Sequence, residues 1–225
     1  MSETCGIIIP QSLIISDRKW SAQPASAAVA ATSWSTTDNT GTGTLSNSNR
    51  TYTHSTGGNS YLNIRSVAGT LVGQDLYLEY VINVVTFSAY LGMGTIGGSL
   101  AGGFPGIGSP STAFYIASNG NFRCVDSADD NTAFILSITA GDRVGLAVKT
   151  TAGKVWFRKN GGAWNAAHAG TQDPVTNQGG ASIPFAGPYY AIAGEDAVDG
   201  DAFTANFATS SWVDPAPTGF TQLAA

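Results

Sequence analysis

The sequence has 225 residues, a formal net charge of −5 at pH 7 and 11% charged residues, and one β-sandwich domain can fill that length. Its ten Lys and Arg residues form no basic stripe, which argues against nucleic-acid binding. No apolar run approaches the ~20 residues that a membrane-spanning helix needs. The two cysteines match neither a disulfide framework nor a zinc pattern.

Residues 1–32 differ in composition from the rest of the chain, and we expect them to form an extended N-terminal arm. Two apolar triplets, separated by Pro10, are followed by a stretch rich in Ala and Ser; the triplets are Ile7, Ile8, Ile9 and Leu13, Ile14, Ile15. Such an arm would pack on its own sandwich or on a neighbouring subunit. Glu3 lies where a secretory signal needs basic residues, so no signal peptide is predicted.

Residues 33–225 read as a single all-β domain. Short β-branched and aromatic runs recur between Gly, Asn, Asp and Ser residues, and no long stretch has helical periodicity. The clearest predicted strands are residues 60–65, 76–85, 89–93, 113–116, 121–125, 143–150, 154–159, 189–193 and 203–207. Nine or more strands indicate two packed antiparallel sheets or a closed barrel.

Two segments in the middle of the chain have a distinctive pattern. The apolar run 76–82 is interrupted only by Glu79, which predicts a central strand with a partly wet face or an edge. Residues 94–110 contain seven glycines and two prolines around Phe104. We expect an exposed loop that carries function, although a spacer without a role fits the composition as well.

Two hairpin turns are predicted in the C-terminal half. Gly153 supplies a positive φ between the strands 143–149 and 154–159, and Asn160-Gly161 is a strong turn signal directly afterwards. Period-two alternation places Val155 and Phe157 on one face of their strand and Trp156 on the other.

Several side chains are candidates for ligand binding, because sugar rings stack on exposed aromatics that lie beside polar groups. The candidates are Phe104, Trp164, Asn165, His168 and Tyr189. Core packing is the alternative for the aromatics, and it is the expectation for Tyr190, Trp34 and Trp212. For His168 a surface position is favoured over a catalytic one, since no nucleophile motif accompanies it.

An acidic loop near the C-terminus is a candidate calcium site. Asp196, Asp199 and Asp201 supply the hard oxygen ligands that Ca²⁺ prefers. Turn chemistry explains the same cluster equally well, because Asp favours such loops. No other cofactor is indicated by the sequence.

The C-terminal half resembles a SPRY domain, a concanavalin A-like β-sandwich, of the type found in bacteriophage tail, fibre, spike or capsid-surface proteins. The resemblance covers roughly residues 33–222 through an ordered set of short motifs. These are Gly141-Asp142-Arg143-Val144-Gly145, Lys154-Val155-Trp156-Phe157-Arg158-Lys159-Asn160-Gly161, Gly187-Pro188-Tyr189-Tyr190, Thr204-Ala205-Asn206-Phe207 and Pro217-Thr218-Gly219-Phe220. No single motif is specific, but their order and spacing are.

The resemblance implies a non-catalytic binding module. For the phage-type versions it implies a structural virion protein, assembled in the host cytoplasm and displayed on the particle. Residues 1–32 would attach it to other virion proteins, and loops of the sandwich would bind a host-surface glycan or protein or serve as decoration. A homotrimer is expected from the virion analogy only. A cellular SPRY-type protein-interaction module and a small carbohydrate-active enzyme are the alternatives.

Overall fold

The structure, a computed structural model, describes residues 30–40, 43–54, 62–71, 73–86, 88–100, 110–195 and 200–224. Within these ranges the chain forms short strands and one 3₁₀ turn, Thr209–Ser211. The strands are β1 (Trp34–Asn39), β2 (Thr44–Ser46), β3 (Thr51–Thr53), β4 (Leu62–Gly69), β5 (Asp75–Val84), β6 (Ala89–Gly94), β7 (Ala113–Ala117), β8 (Asn121–Arg123), β9 (Thr132–Ala133), β10 (Arg143–Lys149), β11 (Lys154–Lys159), β12 (Ala181–Ser182), β13 (Tyr190–Glu195) and β14 (Ala202–Asn206).

The strands form two antiparallel sheets packed as a sandwich. The first sheet has the order β1-β4-β13-β6-β7-β8-β9, and the second has the order β12-β11-β10-β5-β14-β3-β2. The main core lies between them and contains most of the large buried aromatics. The predicted two-sheet β-sandwich is therefore confirmed. Within the described ranges, no helix has the length and apolar character that a bilayer crossing requires.

Strand β11 shows how alternation builds this core. Val155 and Phe157 belong to the buried cluster between the sheets, as the sequence pattern predicted. Trp156 points to the opposite face and packs with Tyr77 and Phe220 in a second buried cluster. Both faces of the second sheet are consequently covered, the inner by the first sheet and the outer by the C-terminal segment.

The central position of β5 is confirmed, but the predicted environment of Glu79 is wrong. β5 pairs with β10 on one side and β14 on the other, so it is not an edge strand. Glu79 has no exposed surface. Residues 212–216 cross the outer face of the sheet here, and the backbone N–H groups of Val213 and Asp214 donate to its carboxylate.

Several short strands were not among the predicted runs, notably β1, β9 and β12. β1 has only two buried residues at its start followed by polar ones, and β9 and β12 have two residues each. Such elements are stabilised by pairing with a neighbouring strand rather than by their own composition. Their existence was therefore invisible to a pattern of local alternation.

Both predicted turns have the expected backbone, but only the first is a hairpin. Gly153 has φ +59° between the paired strands β10 and β11, and Asn160 and Gly161 have φ +51° and +69°. The second turn opens a long loop, because residues 160–180 separate β11 from β12. The amide of Gly162 donates to the carbonyl of Lys159 at 2.9 Å, which closes the second turn.

The start of the loop between β6 and β7 is hydrogen-bonded to the first sheet, and the exposed excursion predicted for residues 94–110 stays a prediction. Arg65, on the outer face of the first sheet, donates to the carbonyl oxygens of Ile96 and Gly98, and Asn63 donates to that of Leu100. Leu100 is itself buried. Residues 101–109 lie outside the described part of the chain.

Asp142 gives the fold a measurable pH dependence. Its carboxylate accepts hydrogen bonds from the Thr139 amide at 2.7 Å, from Asn160 Nδ2 at 2.8 Å and from Lys159 Nζ at 2.7 Å. Burial alone would raise the pKa of Asp142, but these bonds outweigh it and lower the pKa to about 2. Because the folded-state pKa lies below the unfolded one, this carboxylate stabilises the fold above about pH 4, and the contribution disappears as the pH falls to about 2.

We therefore expect Asp142→Asn to lower the free energy of unfolding by about 1–2 kcal/mol at pH 7 and by almost nothing near pH 2. Urea unfolding of both proteins across this pH range measures the difference. A difference that stays constant from pH 7 to pH 2 would contradict the role assigned to this carboxylate.

Candidate functional site

A groove with a volume of about 620 Å³ lies at one end of the sandwich. Three connections contribute to it: Thr70, Leu71 and Gly73 between β4 and β5, residues 150–153 between β10 and β11, and residues 183–189 between β12 and β13. They meet because β5 and β10 run antiparallel, with Asp75 opposite Lys149. The end of β10 and the start of β5 therefore share one edge of the molecule.

The groove is mainly apolar and uncharged. Leu71 is 69% exposed at its rim, and the connection that precedes β13 contributes Pro184, Phe185 and Pro188. None of its described lining residues carries a charge. Its most notable polar group is the buried Thr150 hydroxyl, which has no hydrogen-bond partner among the described residues. The groove therefore offers apolar contact without charged groups.

Tyr189 lines this groove but serves as its support. The residue is 2% exposed, and its ring packs edge-on against Phe114 and Phe185, with centroids 5.7 Å away in both cases. Its hydroxyl donates to the Phe185 carbonyl at 2.6 Å. Burial raises the pKa of Tyr189, which keeps that donor protonated. Backbone bonds to Thr70 join the same wall to the β4–β5 connection.

Trp164 lies elsewhere, beside the outer face of the second sheet. Its ring stacks on the Arg158 guanidinium, 4.5 Å from the ring centroid, and meets Tyr77 edge-on. Arg158 is almost completely buried. Such a cation–π contact, formed away from water, stabilises the sheet's outer layer. The half-buried Trp164 thus has a structural partner, and its ligand-binding role stays a prediction.

Asn165 and His168 form a small cluster with Gln172. Asn165 is fully buried with φ +43°; its Oδ1 accepts from the Phe157 amide at 2.8 Å, and its Nδ2 donates to Gln172 at 2.8 Å. His168 lies within 3.3 Å of Gln172 Nε2 and packs on Phe134. A ligand at Asn165 would have to displace these bonds. Phe104 lies outside the described residues, and among the other four candidates only Tyr189 lines the groove.

The predicted calcium ligands are only partly described. Asp201 is buried, and its carboxylate accepts a hydrogen bond from the Thr86 amide. Burial raises the pKa of Asp201, although the bond from Thr86 opposes this rise. Among the described residues no group of three His, Cys, Asp or Glu side chains is arranged to hold a metal. Asp196 and Asp199 lie outside those residues, and the calcium site stays a prediction.

Beside Asp201, the opposite end of the sandwich buries a contact between a histidine and a glutamate side chain. His54 Nδ1 contacts Glu195 Oε1, and both residues are almost completely buried. The His54 amide donates to the Asp201 carbonyl at 2.9 Å, which joins the pair to β14. Glu195, like Glu79, therefore has a protein partner and no open face toward solvent.

The predicted arm joins the sandwich at its C-terminal end. Ala31 forms a bridge with Ala224, and Thr32 donates to Leu223 and accepts from the Ala68 amide through its side chain. Residues 31 and 32 are thus bonded to the sandwich. The residues predicted to attach the protein to a particle, Ile7, Ile8, Ile9, Leu13, Ile14 and Ile15, lie outside the described part.

Most residues of the groove were not predicted from the sequence. Leu71, Thr150 and Phe185 were not singled out, although the Ile183-Pro184-Phe185 run and the nearby Gly187-Pro188 pair are a usable signal. Two prolines within five residues restrict the backbone, so the apolar side chain between them is held in place. What the sequence could not show is that this loop faces Leu71.

No protein-family model matches the sequence, and no curated protein matches it. The structure is similar to the SPRY domain of human HERC1, with a TM-score of 0.53 and 14% identity over 76% of this chain and 96% of that chain. A second human SPRY domain has a TM-score of 0.48 and 15% identity, over 72% of this chain and 93% of that one. The resemblance found in the sequence is therefore confirmed at the level of the fold: this chain has the fold of a SPRY domain.

Proposed function

We propose that this chain is a non-enzymatic protein-interaction module whose groove receives an apolar segment of a partner protein. The observation that carries the proposal is the exposed Leu71 at the rim of an uncharged, mainly apolar groove. An apolar side chain of a partner would bury Leu71 against this groove. The SPRY fold, usually non-catalytic, is compatible with this role.

A protein segment fits the groove better than a sugar does. Sugar binding needs exposed aromatic faces together with several hydrogen-bonding groups, but Tyr189 is buried and its hydroxyl is already used by Phe185. A second groove, of about 330 Å³, lies at the opposite end and contains Ser118, Asn119 and other polar residues. None of its described lining residues is aromatic. Neither groove combines the two requirements.

Burial of the candidate carboxylates supports a role without catalysis. Glycoside hydrolysis needs two carboxyl groups that face one cleft. Glu79 is buried under residues 212–216, and Glu195 is buried in contact with His54. Neither residue lines either of these two grooves. A carbohydrate-active enzyme, the third interpretation of the sequence, receives no support from this arrangement.

The groove can be tested with two matched substitutions. Leu71→Asp puts a charge into the groove, whereas Leu136→Asp alters a leucine of similar exposure, 71% against 69%, on the loop that precedes β10 at the opposite end. Peptides selected against the wild-type protein from a random displayed library should bind Leu71→Asp about 10–100-fold more weakly, because an apolar contact is replaced by a desolvated charge. Leu136→Asp should bind them as the wild type does.

Titration calorimetry or fluorescence anisotropy with the enriched peptides measures these affinities. Equal binding to the wild type and Leu71→Asp would place the recognition elsewhere and overturn the proposal. Selective binding of glycans from an array, with no peptide enriched, would overturn it in favour of a carbohydrate-binding module.

The phage-type setting stays a prediction. The virion location, the arm that attaches to other virion proteins and the trimer were inferred from the resemblance, and a protein-interaction module is compatible with a particle surface as well as with a cell. Recovery of the protein from purified particles would support the virion interpretation. The described part of the arm, residues 30–32, contacts the protein's own sandwich.

A further inference from the structure

The described chain begins beside the groove. The Thr32 side chain accepts a hydrogen bond from the Ala68 amide at 2.9 Å, and Ala68 lies two residues before Thr70, which lines the groove. Gln74, at the other end of the same connection, donates to the Gln222 carbonyl at 2.8 Å. Thr32, Gln222 and the groove therefore share one end of the sandwich.

The segment that precedes residue 30 contains a sequence suited to this groove. Residues 7–15, Ile-Ile-Ile-Pro-Gln-Ser-Leu-Ile-Ile, contain six large aliphatic side chains and no charge, and no described residue of the groove is charged. Pro10 favours an extended backbone for the residue before it. Fifteen residues, 16–30, separate Ile15 from Ala31, and a fully extended chain across that separation spans up to about 55 Å. The segment can therefore reach the groove within its own chain.

We propose that residues 7–15 bind in the groove of their own sandwich and act as its resident ligand. The inference rests on the proposed function, because it names a segment that uses the same apolar contacts. Tethering gives the segment a high effective concentration, on the order of millimolar for a short flexible linker. A partner protein must then displace the segment or bind where it leaves room, so the groove is regulated by its own chain.

Protection of a cysteine at the groove rim tests the proposal in the full-length protein. Cys5→Ser removes the only cysteine of the N-terminal segment, and Cys124 is fully buried. Leu71→Cys and Leu136→Cys are made separately in that background and reacted with a maleimide. We expect Leu71→Cys to react about tenfold more slowly than Leu136→Cys, although the described residues leave the two leucines similarly exposed, at 69% and 71%.

Two substitutions in the segment should remove this protection. Adding Ile8→Asp and Ile14→Asp to Leu71→Cys should raise its labelling rate to that of Leu136→Cys, because two charges oppose burial in an apolar groove. Ile8→Ser and Ile14→Ser should act in the same direction with less perturbation. Ser26→Asp, in the arm but outside residues 7–15, is the control and should leave the protection intact, and Leu136→Cys should react at one rate throughout.

Equal labelling of the two positions, or protection that survives both pairs of substitutions, would overturn the inference. Protection that falls on dilution would also overturn it, since a segment supplied by a second copy depends on concentration and a tethered one does not.

The peptide selection, repeated on the protein with Ile8→Asp and Ile14→Asp, separates this inference from the proposed function. One outcome is that peptide binding depends on Leu71 while Leu71→Cys is labelled as fast as Leu136→Cys. This outcome would sustain the proposed function and reject the resident ligand. Protection without any peptide binding to the freed groove would sustain the resident ligand and reject the proposed function.

Discussion

Replacing Glu79 by alanine is expected to lower the free energy of unfolding by about 4 kcal/mol, the range measured when one partner of a buried charged network is removed. The carboxylate has no exposed surface and accepts four hydrogen bonds. The donors are the backbone amides of Val213 at 2.9 Å and Asp214 at 2.7 Å, the Tyr77 hydroxyl at 3.0 Å and Asn206 Nδ2 at 3.3 Å. Alanine leaves all four donors without their acceptor.

The two backbone donors explain why replacing Glu79 should lower the free energy of unfolding more than replacing an ordinary surface carboxylate. They belong to the segment 212–216, which begins with Trp212 and covers the outer face of the second sheet beside Tyr77. Buried amides that lose their acceptor cost about 1–3 kcal/mol each. The nearby Arg158 donates to Tyr77 and to the Pro215 carbonyl, so the same substitution also leaves its buried charge less compensated. We expect the C-terminal segment to detach before the sheets separate.

Urea unfolding at pH 7, followed by tryptophan fluorescence, measures this effect. The Trp212 indole donates to the Asn206 carbonyl at 2.9 Å and its ring lies 4.9 Å from that of Tyr77, so its emission reports on the covering segment. Glu79→Gln is the matched control: it keeps one oxygen acceptor and should lose about 1–2 kcal/mol. A loss below about 1 kcal/mol for Glu79→Ala would contradict the anchoring role.

Replacing Trp34 by alanine should lower the free energy of unfolding by a similar amount, about 4 kcal/mol. Trp34 is fully buried at the start of β1. Its ring packs edge-on against Phe207, with centroids 5.2 Å apart, and stacks on Tyr80 at 6.3 Å. Alanine removes these contacts and leaves a cavity between the sheets that the remaining side chains cannot fill.

Trp34→Phe is the matched control for this position. It keeps a ring against Phe207 and removes the indole N–H, which has no hydrogen-bond partner among the described residues, so the loss should be about 1–2 kcal/mol. Denaturant unfolding followed by circular dichroism measures both variants. Leu136→Ala, at an exposed leucine, should stay within about 0.5 kcal/mol of wild type. Equal losses for Trp34→Ala and Trp34→Phe would show that packing volume is not the cause.

Trp34 also connects core stability to the groove. It lies two residues after Thr32, which holds the start of the described chain next to Ala68 and Leu223. A destabilised β1 should loosen this anchor first. In the labelling experiment, a weakened anchor would lengthen the tether of residues 7–15, so the Trp34 variants should not be combined with the Leu71→Cys measurement.

The aromatic pair Tyr189 and Tyr190 marks the limit of prediction from local pattern. Alternation requires that adjacent residues of a strand face opposite sides, but both are tyrosines, and the sequence does not say which of them points inward. Tyr190 was expected in the core, yet Tyr189 is 2% exposed and Tyr190 is partly exposed. The bonds to Thr70, 119 residues away in sequence, determine the choice.

Glu79 is a second residue whose environment the local pattern did not predict: it was expected at a wet face or an edge, and it is buried. A charged residue inside an apolar run is most simply explained by a wet face, and the strand itself was correctly predicted. Its actual partners, Val213 and Asp214, are 134 and 135 residues away. Glu79 is buried because the C-terminal segment crosses the sheet over it and donates hydrogen bonds to its carboxylate.

The sequence by itself determined the sandwich, because alternation with a period of two and the turn preferences of Gly and Asn act between residues that are neighbours in the chain. Val155, Phe157 and the Asn160-Gly161 turn were all assigned in this way. The tertiary structure alone decided which sheet faces are covered and where Leu71, Thr150 and Phe185 meet. These outcomes depend on contacts between segments 35 or more residues apart, and a local pattern does not predict which distant segments pair.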